Sequence, residues 1–431
     1  MMHPLQELIE RRKNGEICGI PSYCTANELA LEAILEHAKE TGEPVLIEAT
    51  ANQINQFGGY TGMTPQDFMD FIKKIADKIG VDEKLLILGG DHLGPLTWVN
   101  EPEASAMGKS RELVKLFVLA GFTKIHLDTS MKLGDDSASE PLATEVIARR
   151  GVELYKVCIE AFEELKKSKP DAMRPVFVIG SEVPIPGGAQ EVEEGISVTK
   201  VEDFDGTVST YQRIFEENGL ADAWNDVIAV VVQPGVEFGD AQVFLYDRAE
   251  AASLCSGLSK YPGIVFEGHS TDYQTKEALR EMVEDGIAIL KVGPALTFGL
   301  CGALYALEAI ENALIPEEKR SHFAETLDRV MVENPGNWQK HYSGTEEEKA
   351  FARKYSFSDR SRYYMGEKEV ADAIDKLLHN LSEVKIPASI LHRCMPLQYE
   401  KVMSGQIEAD PRALAKDGVL QFVMDYEYAV N

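Results

Sequence analysis

The chain has 431 residues, 44% of them apolar and 26% charged, and its 71 acidic against 43 basic side chains give a formal net charge of −28. That composition suits a soluble globular protein with a large core, and so acidic a chain is not expected to bind nucleic acid or anionic membranes. Six scattered cysteines without a CxxC spacing, a charged N-terminus without the apolar stretch of a signal peptide, and no run near the ~18 apolar residues of a membrane span lead to the expectation of a cytoplasmic protein.

Short apolar strands alternate with longer amphipathic segments from the start. A strand is expected at 17–24, then a helix over 26–42 that stops on Gly42, a strand at 45–50, a long loop, and a helix from Pro65. The third strand, LLILGGDH (85–92), is four apolar residues, two glycines, an acid and an imidazole, with Gly94-Pro95 ending it. A helix near 103–121, a strand at 124–130 and a helix over 141–169 follow. Next come strands at 176–184, 227–235, 263–273 and 288–297, with helices at 204–218, 247–260, 274–286 and 299–313. Eight strand-plus-helix units in about 300 residues predict a parallel sheet closed as a (β/α)8 TIM barrel over residues 1–314. A doubly wound open sheet is the alternative, but no GxGxxG follows the first strand. Residues 315–431 break the alternation and read as an α-helical extension, packed on the barrel or at a subunit contact. Within it, SFSDRSRYY (356–364) sets Arg360 among hydroxyls and aromatics, either as a phosphate contact or as a helix start capped by Asp359.

In such a barrel the C-terminal strand ends line the active face. They carry Tyr23, Glu48, Asp91 with His92, Asp128, Glu182, Gln233, Glu267 with His269, and Lys291. Unpaired buried charges cost several kcal/mol each, so polar groups at all eight ends indicate a functional pocket rather than packing. Asp91 next to His92 suits proton transfer or metal chemistry. His92 and His269, on strands three and seven, can converge on a transition metal, with Glu182 to complete the set. His126 is expected to point away from its strand neighbours and is left out of that set. Phosphate is expected at the loops after strands seven and eight, on Ser270, Thr271 and the Gly293 amide, with Glu48, Lys291 and Arg360 as further substrate contacts; Ser-Thr-Asp is equally an ordinary helix cap.

Taken together, NQINQFGGYTGMTP, GGDHLGP, KIHLDTSM, IGSEVPIPGG, VVQPGVEF, GHSTDYQT, LKVGPALTF and SFSDRSRYY resemble the Z-type subunit of class II tagatose-1,6-bisphosphate aldolase. The resemblance implies a barrel related to zinc-dependent aldolases. It implies a place in galactitol or N-acetylgalactosamine catabolism, where tagatose 1,6-bisphosphate is cleaved to glyceraldehyde 3-phosphate and dihydroxyacetone phosphate. It also implies a separate catalytic aldolase subunit as partner; a homo-oligomer is a further expectation. By the same resemblance Asp91 would move the C4 hydroxyl proton, and His92 and His269 would bind zinc. Asp128 joins Asp91 and Glu182 as a candidate catalytic acid. The third histidine expected after strand six is absent: QPGVEFGD (233–240) offers Gln233 and Glu237 instead, so Gln233 or Glu182 is the expected substitute ligand. Two readings follow, an accessory subunit without chemistry of its own and an autonomous metal-dependent 4-epimerase interconverting fructose and tagatose 6-phosphates. A sugar-phosphate kinase is rejected, because the sequence has neither a Walker lysine loop nor a kinase-type glycine loop.

Overall fold

The computed structural model describes residues 2–181 and 196–431. Eight parallel strands close into a barrel: β1 (Ile20–Cys24), β2 (Val45–Thr50), β3 (Leu86–Leu93), β4 (Lys124–Leu127), β5 (Val176–Ile179), β6 (Val227–Val232), β7 (Val265–Gly268) and β8 (Ile287–Val292), with β8 paired back onto β1. The connections carry α2 (Glu28–Thr41), α3 (Pro65–Ile79), α4 (Glu103–Ala120), α5 (Thr144–Ser168), α6 (Val201–Glu217), α7 (Arg248–Gly257), α8 (Lys276–Glu284) and α9 (Pro294–Leu314). Helices cover the outside and side chains fill the inside, so a strand such as Val227–Val232 is buried on both faces and reads as an unbroken apolar run. From the fourth strand on, the expected strands run past the observed ones at their C-terminal ends. The chain leaves the sheet there to build the polar rim, and α9 begins at Pro294, where proline fits a first turn.

A helix that precedes the barrel, α1 (Pro4–Lys13), is absent from the sequence-based reading. Its Leu5, Leu8 and Ile9 pack with Ile20, Leu46, Ile87, Val176, Val178, Ala229, Val265 and Ile289 in one apolar cluster that fills the N-terminal end of the barrel. Its N-cap is unusual: His3 Nδ1 accepts from the Leu5 N–H, and the ring is buried. The barrel is thus plugged and apolar below, which leaves its polar side chains to the opposite end.

Residues beyond α9 form α10 (Phe323–Glu333), α11 (Glu346–Tyr355), α12 (Lys368–Ser382), α13 (Ala388–Cys394), α14 (Pro396–Met403) and α15 (Pro411–Val430), with a 3₁₀ turn at Arg360–Tyr363. α15 lies against α9, α8 and α2. It is tied to α2 by Arg412–Glu32 and Lys416–Glu36, and to the loop after β7 by a 2.8 Å contact between the Tyr426 and Thr271 hydroxyls. The extension is therefore packed on the barrel wall, on the side of β1, β7 and β8. No helix among the described residues is long and apolar enough to cross a membrane.

Candidate active site and metal centre

Side chains alternate along a strand, so residues i and i+2 share a face. On β4 that rule sends Lys124 and His126 into the barrel, with Asp128 just beyond on the same side. They meet Glu48 from β2, Asp91 and His92 from β3, Glu267 and His269 from the end of β7, and Lys291 from β8. Every one of these residues is buried. Room for Glu48 comes from its neighbour across the β2–β3 ladder: a Cβ at Gly89 would lie 2.6 Å from Glu48 Cγ. The backbone is forced where the chemistry-bearing groups sit. His92, Ser270, Tyr273 and Asp359 are four of the five described non-glycine residues with positive φ, a conformation costing about 1–3 kcal/mol and concentrated at functional sites.

Three imidazoles face one another, with ring centroids 5.0 Å (His92–His269), 5.2 Å (His92–His126) and 5.3 Å (His126–His269) apart. Each leans on its own carboxylate: His92 Nδ1 on Asp128 at 2.8 Å, His126 Nδ1 on Asp91 at 2.8 Å, and His269 Nε2 on Glu267 at 2.9 Å. His126 Nδ1 also lies 3.2 Å from the backbone N–H of His92, and it cannot accept there while donating to Asp91. The shorter, charge-assisted contact decides, so Nδ1–H donates to Asp91 and Nε2 carries a lone pair. That Nε2 is buried without a hydrogen-bond partner among the described residues. A histidine whose tautomer is fixed by a carboxylate, with its other nitrogen unpaired, is the arrangement found behind metal ligands. Asp91, His126, Glu267 and His269 each present a donor atom within 4.8 Å of the others. The buried cluster can hold a metal ion.

Charge points the same way. Among the described residues Glu48, Asp91, Asp128 and Glu267 face two ammonium groups, Lys124 and Lys291, so two negative charges stay uncompensated there when the imidazoles are neutral. Lys124 Nζ lies 2.7 Å from both Glu48 Oε1 and Glu267 Oε2, yet too obliquely for directed hydrogen bonds; the trio is held by charge. Burial works against the ammonium of Lys124, but Glu267 and Glu48 outweigh it and raise its pKa. Burial likewise opposes the charge on Lys291, and Asp91, with further help from Glu48, raises it well above the ordinary lysine value. A lysine held so firmly protonated is no Schiff-base nucleophile. Burial pushes the carboxylates up, but His92, Lys291 and His126 hold Asp91 well below its usual range, and His92 holds Asp128 near 2. Burial lowers His269 to about 4, whereas Asp91 and Asp128 overcome burial to raise His92. Of these two rings, His92 is the one poised to carry a proton.

The residues expected from sequence divide. Asp91, His92, Asp128, His269, Glu48 and Lys291 are brought together, and Ser270 lines the same cavity. Glu182 lies outside the described residues. Gln233 stays away from the cluster, because its Oε1 accepts the N–H groups of Gly235 and Val236 and closes the local turn. Thr271 is fully buried, its hydroxyl donating to Lys291 O at 2.7 Å and touching Tyr426. The Gly293 N–H is occupied by Asp272 Oδ1 at 3.0 Å, which also takes the Ala295 N–H at 2.8 Å. Arg360 turns into the extension, donating to Asn337 O at 3.1 Å; its neighbour Arg362 reaches the cavity instead. His126, set aside on a strand-parity argument, belongs inside: counted by twos, it shares the face of Lys124 and Asp128. Lys124 itself was missed. The signal was a lysine opening a short, fully buried strand, two residues before His126 on the same face.

The floor of the cavity is formed by Asp91, His92, His269 and Lys291, and its volume is about 110 Å³. It opens past Tyr60, Arg362 and Tyr363 toward a larger hollow of about 680 Å³ between the barrel and the extension. Tyr60 and Tyr363 meet edge to face across this neck, with centroids 4.6 Å apart.

The family model described as D-tagatose-1,6-bisphosphate aldolase subunit GatZ/KbaZ-like matches residues 5–431. Among solved structures, that of a probable tagatose 6 phosphate kinase from Sinorhizobium meliloti 1021 is 42% identical, over 96% of this chain and 100% of that one, with a TM-score of 0.87. The YdjI aldolase from Escherichia coli K12 is 13% identical, over 74% of this chain and 89% of that one, with a TM-score of 0.44. The fructose-bisphosphate aldolase of Campylobacter jejuni is 14% identical, over 88% and 91%, with a TM-score of 0.42.

Proposed function

This chain belongs to the D-tagatose-1,6-bisphosphate aldolase subunit GatZ/KbaZ-like family, and from that premise we propose that it handles a phosphorylated ketohexose in the metal-dependent cleavage of tagatose 1,6-bisphosphate, alongside a catalytic aldolase subunit, in galactitol or N-acetylgalactosamine catabolism. The observation that carries the reading is the set of three buried imidazoles, each backed by a carboxylate and packed with ring centroids 5.0–5.3 Å apart. His126 and His269 would hold a divalent ion, zinc by donor type, with Asp91 and Glu267 within ligand distance and His92 beside them. Such an ion polarises a ketose carbonyl or stabilises an oxyanion.

The chain's own groups supply the rest. Asp91 lines the cavity with one oxygen held by His126 and the other 3.0 Å from Lys291 Nζ. It is the group placed to take the C4 hydroxyl proton, and His92 Nε2, 3.6 Å from Asp91 Oδ2, is placed to receive it in turn. Lys291, permanently charged, offers a donor to a substrate oxygen. Asp128 keeps His92 in one orientation, a positioning role like that of Glu267 toward His269.

A second reading has its own support. The proton carriers, the cations and the donor set all come from one chain, so the same apparatus can act alone as a 4-epimerase between fructose 6-phosphate and tagatose 6-phosphate. The Sinorhizobium meliloti relative is described through tagatose 6-phosphate as well, a ketohexose phosphate like the family's substrate. Purified alone, the chain is to be analysed for bound metal, then assayed for cleavage of tagatose 1,6-bisphosphate and for 4-epimerisation of fructose 6-phosphate, with and without an added catalytic subunit. Activity without the subunit selects the autonomous enzyme, and activity only with it selects the supporting role. Full activity in Asp91→Asn and His92→Ala would sink the site assignment under either reading.

A further inference from the structure

TIM barrels commonly seat a phosphate at the loops after the seventh and eighth strands, on backbone amides that open a helix. Here that position is filled from within. Asp272 lays Oδ1 across the N–H groups of Gly293 and Ala295, at 3.0 and 2.8 Å, and the hydroxyl of Thr271 is spent on Lys291 O and Tyr426. A phosphate entering there would displace a buried carboxylate or face it at contact distance. Lys291 is no free anchor either, since Glu48 and Asp91 flank it. Lys124 is enclosed between two glutamates, and Arg412, in the outer hollow, is bound to Glu32.

Arg362 is different. Among the described residues it forms no ion pair, although the chain carries 71 acidic side chains. Its Nη1 donates to the carbonyls of Ser358 and Asp359, its Nη2 donates to the Tyr363 hydroxyl at 2.9 Å, and the guanidinium lies 4.4 Å above the Tyr363 ring. The group is thereby fixed, while Nε–H and one Nη2–H have no partner among the described residues. It lines both the inner cavity and the outer hollow. The inner cavity, about 110 Å³, shares Cys24, Gln53, Tyr60, Gly293, Arg362 and Tyr363 with the outer hollow of about 680 Å³, so the two join at Arg362. A substrate with its carbonyl end over Asp91 and His92 must pass through the neck where Arg362 stands.

We propose that Arg362, supplied by the C-terminal extension, binds the phosphate monoester of the ketose substrate, in place of the amide nest that Asp272 fills. The proposal rests on the sugar-phosphate reading above and names the group that confers it. An open-chain ketose 6-phosphate would then lie with its sugar inside and its phosphate at the Tyr60–Tyr363 neck. An arginine held by two carbonyls and stacked on an aromatic ring presents a preorganised fork for phosphate oxygens.

The test is calorimetric titration of the full chain with D-fructose 6-phosphate, with D-fructose for comparison, in the wild type, Arg362→Ala and Arg362→Lys. Loss of a charge-assisted fork should weaken fructose 6-phosphate binding on the order of 10- to 100-fold in Arg362→Ala. Arg362→Lys, which keeps a charge but not the fork, should fall between. Inorganic phosphate should compete with the sugar phosphate in the wild type and not in Arg362→Ala. Circular dichroism checks each fold, and if Arg362→Ala does not fold, Arg362→Lys decides by a severalfold loss. Wild-type affinity in the folded variants overturns the role of Arg362 and leaves the sugar-phosphate reading standing. A wild type that binds neither fructose 6-phosphate nor tagatose 1,6-bisphosphate overturns both.

Discussion

Lys124 offers the most direct probe of how the polar barrel is held together. Its Nζ sits 2.7 Å from Glu48 Oε1 and 2.7 Å from Glu267 Oε2, and all three residues are fully buried. At an effective dielectric constant near 20 each contact contributes about 6 kcal/mol of attraction, against a desolvation cost of several kcal/mol for each ion. Lys124→Met removes the cation, keeps most of the volume and leaves Glu267 with His269 in contact and Lys291 farther off. The expected loss of stability is about 3–5 kcal/mol, the usual result of stranding a buried charge. The double variant Lys124→Met/Glu267→Gln removes the stranded charge and should recover at least half of that loss. Urea unfolding followed by circular dichroism at pH 8 reads both values from the midpoint and slope. Without its cation Glu267 would rise toward protonation, so the single variant's deficit should shrink as pH falls from 8 to 6. A Lys124→Met loss below about 1 kcal/mol, or a double variant no more stable than the single, would refute the charge argument.

Three further outcomes follow from other parts of the structure. His3 is buried at the foot of the barrel, where burial lowers its pKa to about 4 from the ordinary 6.5. The unfolded chain therefore takes up the proton first: the stability is fully present above pH 6.5 and is lost as pH falls through 4, about 3 kcal/mol in all. His3→Asn replaces the capping Nδ1 with a capping oxygen that does not titrate, so it should show a flatter urea midpoint between pH 7 and 4, and equal slopes would refute the assignment. Metal content measured by mass spectrometry after dialysis against zinc should fall in His126→Ala, with affinity down at least ~10-fold, and stay unchanged in Gln233→Ala; the reverse would restore the ligand set expected from sequence. A Cβ on Gly418 would lie 2.6 Å from Gly299 O, so Gly418→Val should force α15 off α9 and destabilise by about 1–3 kcal/mol, read as a lower melting temperature.

The barrel was legible because its signals are local and repeated: apolar runs of strand length, glycine stops and a polar residue after each run. Asp91, His92, His269, Glu48 and Lys291 were picked out on the same ground, each at a strand end where burial would otherwise be unexplained, and the fold brings them together. What failed needed knowledge of side-chain partners. Gln233 and Arg360 have suitable chemistry at suitable positions, yet one closes its own turn and the other caps a carbonyl in the extension. Arg362, two residues from Arg360, cannot be chosen from sequence, since the 3₁₀ turn at Arg360–Tyr363 decides which guanidinium faces the cavity. His126 was recoverable: Lys124, His126 and Asp128 follow one another at period two, and consistent counting puts the ring inside with its neighbours. α1 was hidden by its charges, although Leu5, Leu8 and Ile9 form the i, i+3, i+4 face of an amphipathic helix.

The energetics of the site bear on whether it serves chemistry or support. A wall that only had to hold up a partner could be built from apolar residues, and replacing buried ion pairs by well-packed apolar groups is often neutral or stabilising by ~1–4 kcal/mol. This barrel instead buries four carboxylates, two ammonium groups and three imidazoles, and holds His92 and Ser270 at positive φ beside them. Such strain and charge persist where function requires them, at the expense of stability. The Lys124→Met/Glu267→Gln variant bears on this directly. If it folds as firmly as the wild type but loses metal and turnover, the buried charges are there for the reaction. If it keeps both, they belong to the scaffold, and Asp91 with the three imidazoles must work without them.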